Sequence, residues 1–362
     1  MSGGVDSSVA ALLIRDAGYE CEAVMLRLYS ACKNGDNTAI ARRVAERLGI
    51  PFGILDFRRQ FLAGVVSPFI SSYLGGDTPN PCVACNRHIK FGALTDYAAD
   101  RGFTRVATGH YARIEYDPAA DRYLLMKGAD ASKDQSYMLY TLSQRQLSRA
   151  AFPIGGMLKS EVREIAEKQG FPNARARESQ DICFIQTGNY MDFIRAQINA
   201  AKERTADDRE ALPDGPVDGE WDRALSDGPI VDETGAVVGR HKGAAGYTVG
   251  QRKGLGLAMP EPVYVYAKSV AENKVYVGPE TLLYSKSATA LNVNLIPLSR
   301  LTAPLHVKVK TRYRHAEQPA IIEQISDDEI RVEFDSPQRA VTSGQAAVFY
   351  DGSYVIGGGT IK

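Results

Sequence analysis

Apolar residues from Val5 to Ala17 recur at helical spacing and stop at Gly18, a pattern that predicts a helix closed by glycine. Cys21 to Leu28 (CEAVMLRL) reads as a buried strand. A second helix is expected from Thr38 to Leu48, behind Asn37 as its cap and before Gly49. Pro51 to Phe57 and Arg105 to Tyr111 are further short apolar runs, the latter ending in a turn. Strands alternating with helices predict an α/β domain: a parallel sheet with helices on both faces. From Val263 onward the helical spacing vanishes. Runs such as VYVYA, KVYVG, LHVKVKTRYR, AIIEQI, IRVEF and AAVFYDG predict a small all-β domain, a barrel. Between the two regions, Thr205 to Gly239 is polar, acidic and rich in Asp, Gly and Pro, as an inserted loop would be. The expected division is 1–182 for the α/β domain, 183–268 for a small central domain with an acidic insertion near 205–230, and 269–362 for the β-barrel.

Composition narrows the class. The 362 residues are 44% hydrophobic and 24% charged, which excludes disordered, collagenous and coiled-coil chains. No apolar run approaches the ~20 residues needed to cross a bilayer. The start MSGGVDSS has neither the basic nor the apolar part of a signal peptide. Five cysteines, an odd number, point to reduced thiols in the cytoplasm. Lys+Arg and Asp+Glu are both 43, so any surface for a polyanion must be local.

Ser2-Gly3-Gly4-Val5-Asp6-Ser7-Ser8 opens the first helix. Two glycines let backbone N–H groups approach an anion, and the helix start adds partial positive charge. The serines can donate to phosphate oxygens, and Asp6 can hold Mg²⁺ against them. No Gly-Lys-Ser/Thr follows, so this is not a Walker A loop. A plain Ser/Asp-capped helix would explain Ser-Gly-Gly alone. The full heptapeptide resembles the pyrophosphate loop of the N-type ATP pyrophosphatases, which form adenylates. Such a loop normally follows a strand, and none precedes Ser2 here, so a missing upstream strand is expected.

Cys82 and Cys85 form a Cys-x-x-Cys pair after the turn Thr78-Pro79-Asn80-Pro81, and Cys183 lies about a hundred residues on. Cys85 is expected near a helix start, where the dipole, with Arg87 and Lys90, would lower its thiol pKa. Cys21, within a strand, and Cys32, in a loop, read as bystanders. Zinc needs a fourth ligand, for which His88 sits on a charged face. Three cysteines can hold a [4Fe–4S] cluster, and the same three can instead carry and resolve a sulfur.

The blocks SGGVDSS, TPNPCVACNRHIKF, ATGHYAR, KDQSYMLYTL, FPIGG, SQDICFI, YTVGQRKGLG, VKTRYRH and GQAAVFYDG occur in the order found in tRNA-specific 2-thiouridylases, and the chain is identified as resembling that family over nearly its whole length. The resemblance implies an adenine-nucleotide-hydrolase-like α/β domain and ATP-dependent 2-thiolation of the tRNA wobble uridine. By that resemblance Ser2, Gly3, Gly4, Val5, Asp6, Ser7, Leu26 and Gly109 would bind ATP, with Mg²⁺ at Asp6. Cys183 would accept a persulfide sulfur from a carrier protein or cysteine desulfurase. Cys85 would release it, ending as a Cys85–Cys183 disulfide. Asn80, Pro81 and Cys82 would meet the target base. His110, Lys133, Asp134, Gln135, Arg312, Tyr313 and Gln345 would contact tRNA. Many members carry Asp where this chain has Cys82, which leaves open an extra resolving thiol or a third cluster ligand.

His306, Lys308, Lys310, Arg312 and Arg314 recur at spacing two, which on one strand puts all five on one face. A solvated strand face would look similar, but so many like charges fit a polyanion better. A second basic group comprises Arg240, His241, Lys242, Arg252 and Lys253. The partner expected is RNA, with the wobble base turned out of its stack, and neither DNA nor a membrane.

Overall fold

The computed structural model describes residues 1–29, 35–176, 182–185, 189–202 and 220–362. Cys32, Ser179, Gln180 and Asp181 lie outside them, as does most of the acidic stretch; its last part forms the helix Glu220–Leu225 and the strand Asp227–Val231.

The helix Val5–Asp16 forms as its apolar spacing predicts and buries Val5, Val9 and Leu12. Strand Ala23–Arg27 pairs in parallel with Phe52–Asp56. A second parallel pair joins Val106–Ala107 to Ala150–Ala151. Helices cover both faces. Val24, Leu26 and Leu55 pack against a core that includes Phe61, Val65, Phe69 and Cys85. On the opposite face Met25 accepts from Thr38 of the helix Gly35–Leu48. That helix begins before Asn37, so Asn37 is not its cap, and Cys21 precedes its strand instead of lying in it.

The central region is a four-stranded sheet in which Tyr264–Ser269 and Lys274–Gly278 form one hairpin. Residue 269, the expected start of the barrel, falls on that hairpin. The C-terminal strands Tyr284–Leu295, Glu329–Arg339, Gln318–Ser326, Leu305–Lys310, Ala346–Asp351 and Tyr354–Ile361 pair in that order, and the last closes on the first. Val309, Ile322, Val332, Phe334 and Phe349 fill the barrel.

The strand Ala346–Asp351 is buried on both faces, because Ala346, Val348 and Tyr350 dock onto Tyr137, Leu139 and Tyr140 of the N-terminal domain. Tyr137 Oη donates to the Ala346 carbonyl at 2.9 Å, and Asn294 Nδ2 donates to those of Tyr140 and Leu142. The hairpin Ala112–Asp117/Arg122–Lys127 extends the barrel sheet through Met126 and Tyr354.

The basic stripe is shorter than expected. Its strand stops at Lys310, and the chain turns so that His315 N–H donates to the Arg312 carbonyl. His306 and Lys308 are exposed, but Arg312 folds back, its Nη2 donating to Val249 O, Ala340 O and Thr342 Oγ1. In the second group His241 is fully buried, with its ring nitrogens engaged by Asn273 O and Gly243 N–H, so only its neighbours face solvent.

Candidate active site

The loop before the first helix is shaped by two glycines. Gly3 has φ +80°, and a Cβ there would stand 2.7 Å from Asn37 O. Gly4 caps the helix in extended conformation without any side-chain cap, so the first-turn N–H groups keep their capacity for an anion. Ser7 and Ser8 hydroxyls donate to the Gly4 carbonyl at 2.9 and 3.1 Å, and Ser2 Oγ meets Ser7 Oγ at 3.2 Å. Gly109 abuts this loop: a Cβ there would lie 2.6 Å from Asp6 C and 2.7 Å from Ser7 N. The structure therefore joins Gly109 to Ser2–Ser7. Leu26 lies instead against the core that contains Cys85.

Three loop partners escaped the sequence reading. Lys159, only 9% exposed at its side chain, places Nζ 2.5 Å from Asp6 Oδ1, and Tyr111 Oη donates to the same oxygen at 2.9 Å. Buried Asn173 donates through Nδ2 to Gly3 O at 2.7 Å and Ser8 Oγ at 3.0 Å. All three come from distant segments. The signal available for Lys159 was its place shortly behind the FPIGG block, after Met157 and Leu158. Asp6 suits Mg²⁺ only in part: Oδ1 is committed to Lys159 and Tyr111, which leaves Oδ2 for a phosphate-bound ion.

Asn80 caps the helix that begins at Pro81, its Oδ1 accepting from Cys82 N–H at 3.1 Å. Cys85 is the fifth residue of that helix, where a π-helical stretch, Cys85–Ala93, begins. This corrects the expectation of a lowered thiol pKa. Cys85 is buried, and desolvation pushes its thiol up; Lys90 pulls the other way and loses, while Cys82 adds to the rise. Cys82 is exposed, yet crowding by protein raises its pKa too.

Cys183 is exposed, and its neighbour Phe184 enters the core that contains Cys85, packing edge-on against Phe61 and Phe69. The two cysteine segments thus share one core. Cys85 forms no disulfide. Among the described residues no three His, Cys, Asp or Glu side chains stand together as a metal-holding group, so Cys82, Cys85 and Cys183 as placed do not fit a [4Fe–4S] cluster.

The residues expected at tRNA divide by burial. His110 is buried between Thr108 Oγ1 (2.7 Å) and Lys90 Nζ (3.4 Å), and burial followed by Lys90 holds its pKa well below 6.5, so it is neutral. Asp134 organises its own turn, accepting from Gly128 N–H, Ser136 N–H and Ser136 Oγ. Gln135 pairs with the Tyr111 backbone in both directions. Lys133 is half-buried beside them. Tyr313 packs near the Tyr137 ring, and Gln345 Nε2 donates to Thr78 O at 2.6 Å.

Comparison with known proteins accords with these three domains. Residues 1–187 match the family described as tRNA methyl transferase HUP domain, 222–279 its PRC-barrel domain, and 285–361 the aminomethyltransferase β-barrel domain. The tRNA-specific 2-thiouridylase MnmA of Moorella thermoacetica is 45% identical over 372 residues, covering 100% of this chain and 98% of its own. Those of Acetivibrio thermocellus (41%, covering 100% and 98%) and Clostridioides difficile (40%, covering 100% and 96%) are similar throughout. With a matching nucleotide-binding domain and full-length likeness at this level, the chain belongs to the tRNA-specific 2-thiouridylase family.

Proposed function

We propose that this protein is an ATP-dependent tRNA sulfurtransferase that replaces the 2-oxygen of the wobble uridine with sulfur. One juxtaposition supports the reading: an uncapped, glycine-shaped helix start fit for pyrophosphate, and two cysteine segments on a common core in the same domain. A carbonyl oxygen is a poor leaving group. Attack of uridine O2 on the ATP α-phosphorus makes it part of AMP and expels pyrophosphate, whose growing charge the Gly4–Ser7 N–H groups and Lys159 would stabilise. Mg²⁺, when bound, would neutralise further phosphate charge at Asp6; the chain's own part there is to hold Asp6 between Lys159 and Tyr111.

Sulfur arrives as a persulfide on exposed Cys183, supplied by a carrier protein or cysteine desulfurase. The Cys85 thiolate attacks Cys183 Sγ and forms a Cys85–Cys183 disulfide. The outer sulfur leaves with the electron pair as hydrosulfide, adds to uridine C2, and AMP departs. An external thiol then reopens the disulfide. Asn80, Pro81 and Cys82 would meet the flipped base, and Lys133, Arg312, Tyr313 and Gln345 the surrounding tRNA. We further divide the chain into a catalytic domain, a central domain ending before Tyr284 and the closing barrel, working on cytoplasmic tRNA. Among the described residues no helix is long and apolar enough to cross a membrane.

The test is mass spectrometry of tRNA incubated with protein, ATP, Mg²⁺ and a persulfide source, with nucleotide products followed in parallel. Exchange of oxygen for sulfur with AMP formation is expected. A methyl-group mass gain, or ADP as the tRNA-dependent product, would refute the reading.

A further inference from the structure

The segment that leads into Asn80, Pro81 and the cysteine helix is held from outside its own domain. The Thr342–Gln345 turn of the barrel runs along Asp77 and Thr78. Thr78 N–H donates to Ser343 O at 2.9 Å, Gln345 Nε2 donates to Thr78 O at 2.6 Å, and Ser343 Oγ donates to Asp77 Oδ1. Both backbone polar groups of Thr78 are therefore satisfied by the barrel. The approach is close enough to require glycine: Gly344 has φ +84°, and a Cβ there would stand 2.6 Å from Thr78 N and 2.8 Å from Asp77 Cβ.

The turn is itself pinned. Arg312 Nη2 donates to Thr342 Oγ1 at 2.7 Å and to Val249 O of the central domain at 3.1 Å. The central domain also supplies Lys268, whose Nζ donates to Tyr247 O at 2.7 Å. Burial pulls the Lys268 pKa down to about 8, and the Asp77 carboxylate opposes that fall. All three domains meet at Gly76–Thr78, just before Asn80: a Cβ at Gly76 would stand 3.3 Å from Val270 Cγ2 of the central domain. Asn80 in turn caps the helix carrying Cys85.

We propose that the barrel turn Thr342–Gln345 is a positioning element that sets the register of the base-facing segment and of Cys85, with Ser343 and Gly344 as positioning residues. The proposal rests on the tRNA-thiolation reading, because it assigns the barrel a part in the sulfur step beyond gripping RNA. Arg312 and Gln345, expected at tRNA, both bond within this turn, so tRNA docking and the placement of Cys85 share one element. A misplacement of 1 Å can cost about 100-fold in rate.

The experiment compares Gly344→Ala, Ser343→Ala, Asp77→Ala and the Ser343→Ala/Asp77→Ala double variant in the full chain. It reads kcat for thiolation, tRNA affinity, melting temperature and the iodoacetamide alkylation rate of Cys85, resolved from Cys21 and Cys183 by peptide mapping. For Gly344→Ala we expect kcat to fall about 10- to 100-fold with tRNA affinity within about threefold. Cys85 alkylation should rise about tenfold as its cover opens, with Cys21 unchanged. Wild-type kcat with Cys85 still protected, or a loss confined to tRNA affinity, would overturn the proposal. If Gly344→Ala fails to fold, the double variant decides: effects on kcat that do not add support the clamp, and additive effects overturn it. Should the wild-type chain exchange no oxygen for sulfur, the functional reading fails separately, and Cys85 protection alone decides the positioning claim.

Discussion

Replacing Lys159 with Met removes the cation that holds Asp6 while keeping most of the side-chain volume. The pair is 2.5 Å apart, with side chains 9% and 29% exposed. An exposed ion pair contributes about 0–1 kcal/mol, and losing one partner of a buried pair costs about 3–5 kcal/mol. This pair lies between, and Tyr111 still donates to the abandoned carboxylate. A loss of about 2 kcal/mol in folding stability is therefore expected. Urea denaturation of wild type, Lys159→Met, Asp6→Asn and the double variant should give a coupling of about 1–2 kcal/mol, because neutralising Asp6 relieves the unpaired charge. If Lys159 also meets phosphate, the single variant should weaken pyrophosphate binding about 10- to 100-fold, the worth of one charge-assisted hydrogen bond, and leave AMP binding nearly unchanged. Calorimetry with each ligand separates the two roles. Zero coupling in the cycle, together with unaltered pyrophosphate affinity, would refute the assignment.

Cys183→Ser should abolish persulfide loading yet still adenylate tRNA, whereas Cys85→Ser should load sulfur and fail to turn over; simultaneous loss of both steps in either variant argues against the division. Because burial raises the Cys85 pKa, its thiolate is scarce at neutral pH and its alkylation rate should climb through and beyond pH ~8.5, the ordinary thiol value. Lys90→Met should push that profile to still higher pH, and a plateau below the ordinary value in wild type would contradict the desolvation argument. Buried His110 stays neutral as pH falls below its unfolded value of about 6.5, so the unfolded state gains the proton first. Stability should thus drop by up to about 1.4 kcal/mol per pH unit below that point, and His110→Gln should flatten the decline measured by denaturant midpoint. If exposed Lys308 and half-buried Lys310 bind phosphates, replacing both with Ala should reduce the slope of log tRNA affinity against log salt by about 0.7–0.9 for each phosphate no longer neutralised. An unmoved slope would make them a solvated face.

Local patterns carried the sequence reading wherever local physics decides. The 3.6-residue spacing of Val5–Asp16, the glycine loop before it and the alternation in the barrel strands Leu305–Lys310 and Glu329–Arg339 each need only near neighbours, and each appears in the structure. The cysteine helix was legible too, but not the state of its thiol. A helix start favours thiolate, whereas the core that covers Cys85 is assembled from residues as distant as Phe69 and Phe184, and their desolvation outweighs Lys90. Spacing two implied five basic residues on one face, but the strand ends at Lys310 because Arg312 finds carbonyls on two other segments. The Lys159–Asp6, Asn173–Ser8 and Ser343–Asp77 bonds join positions 153, 165 and 266 residues apart, and the burial of Ala346–Asp351 on both faces depends on a docking partner from another domain. Such bonds pair groups whose identities are ordinary and whose meaning is only their meeting, so the sequence by itself determined the elements and the reactive residues, and the tertiary structure decided their charges, exposures and support.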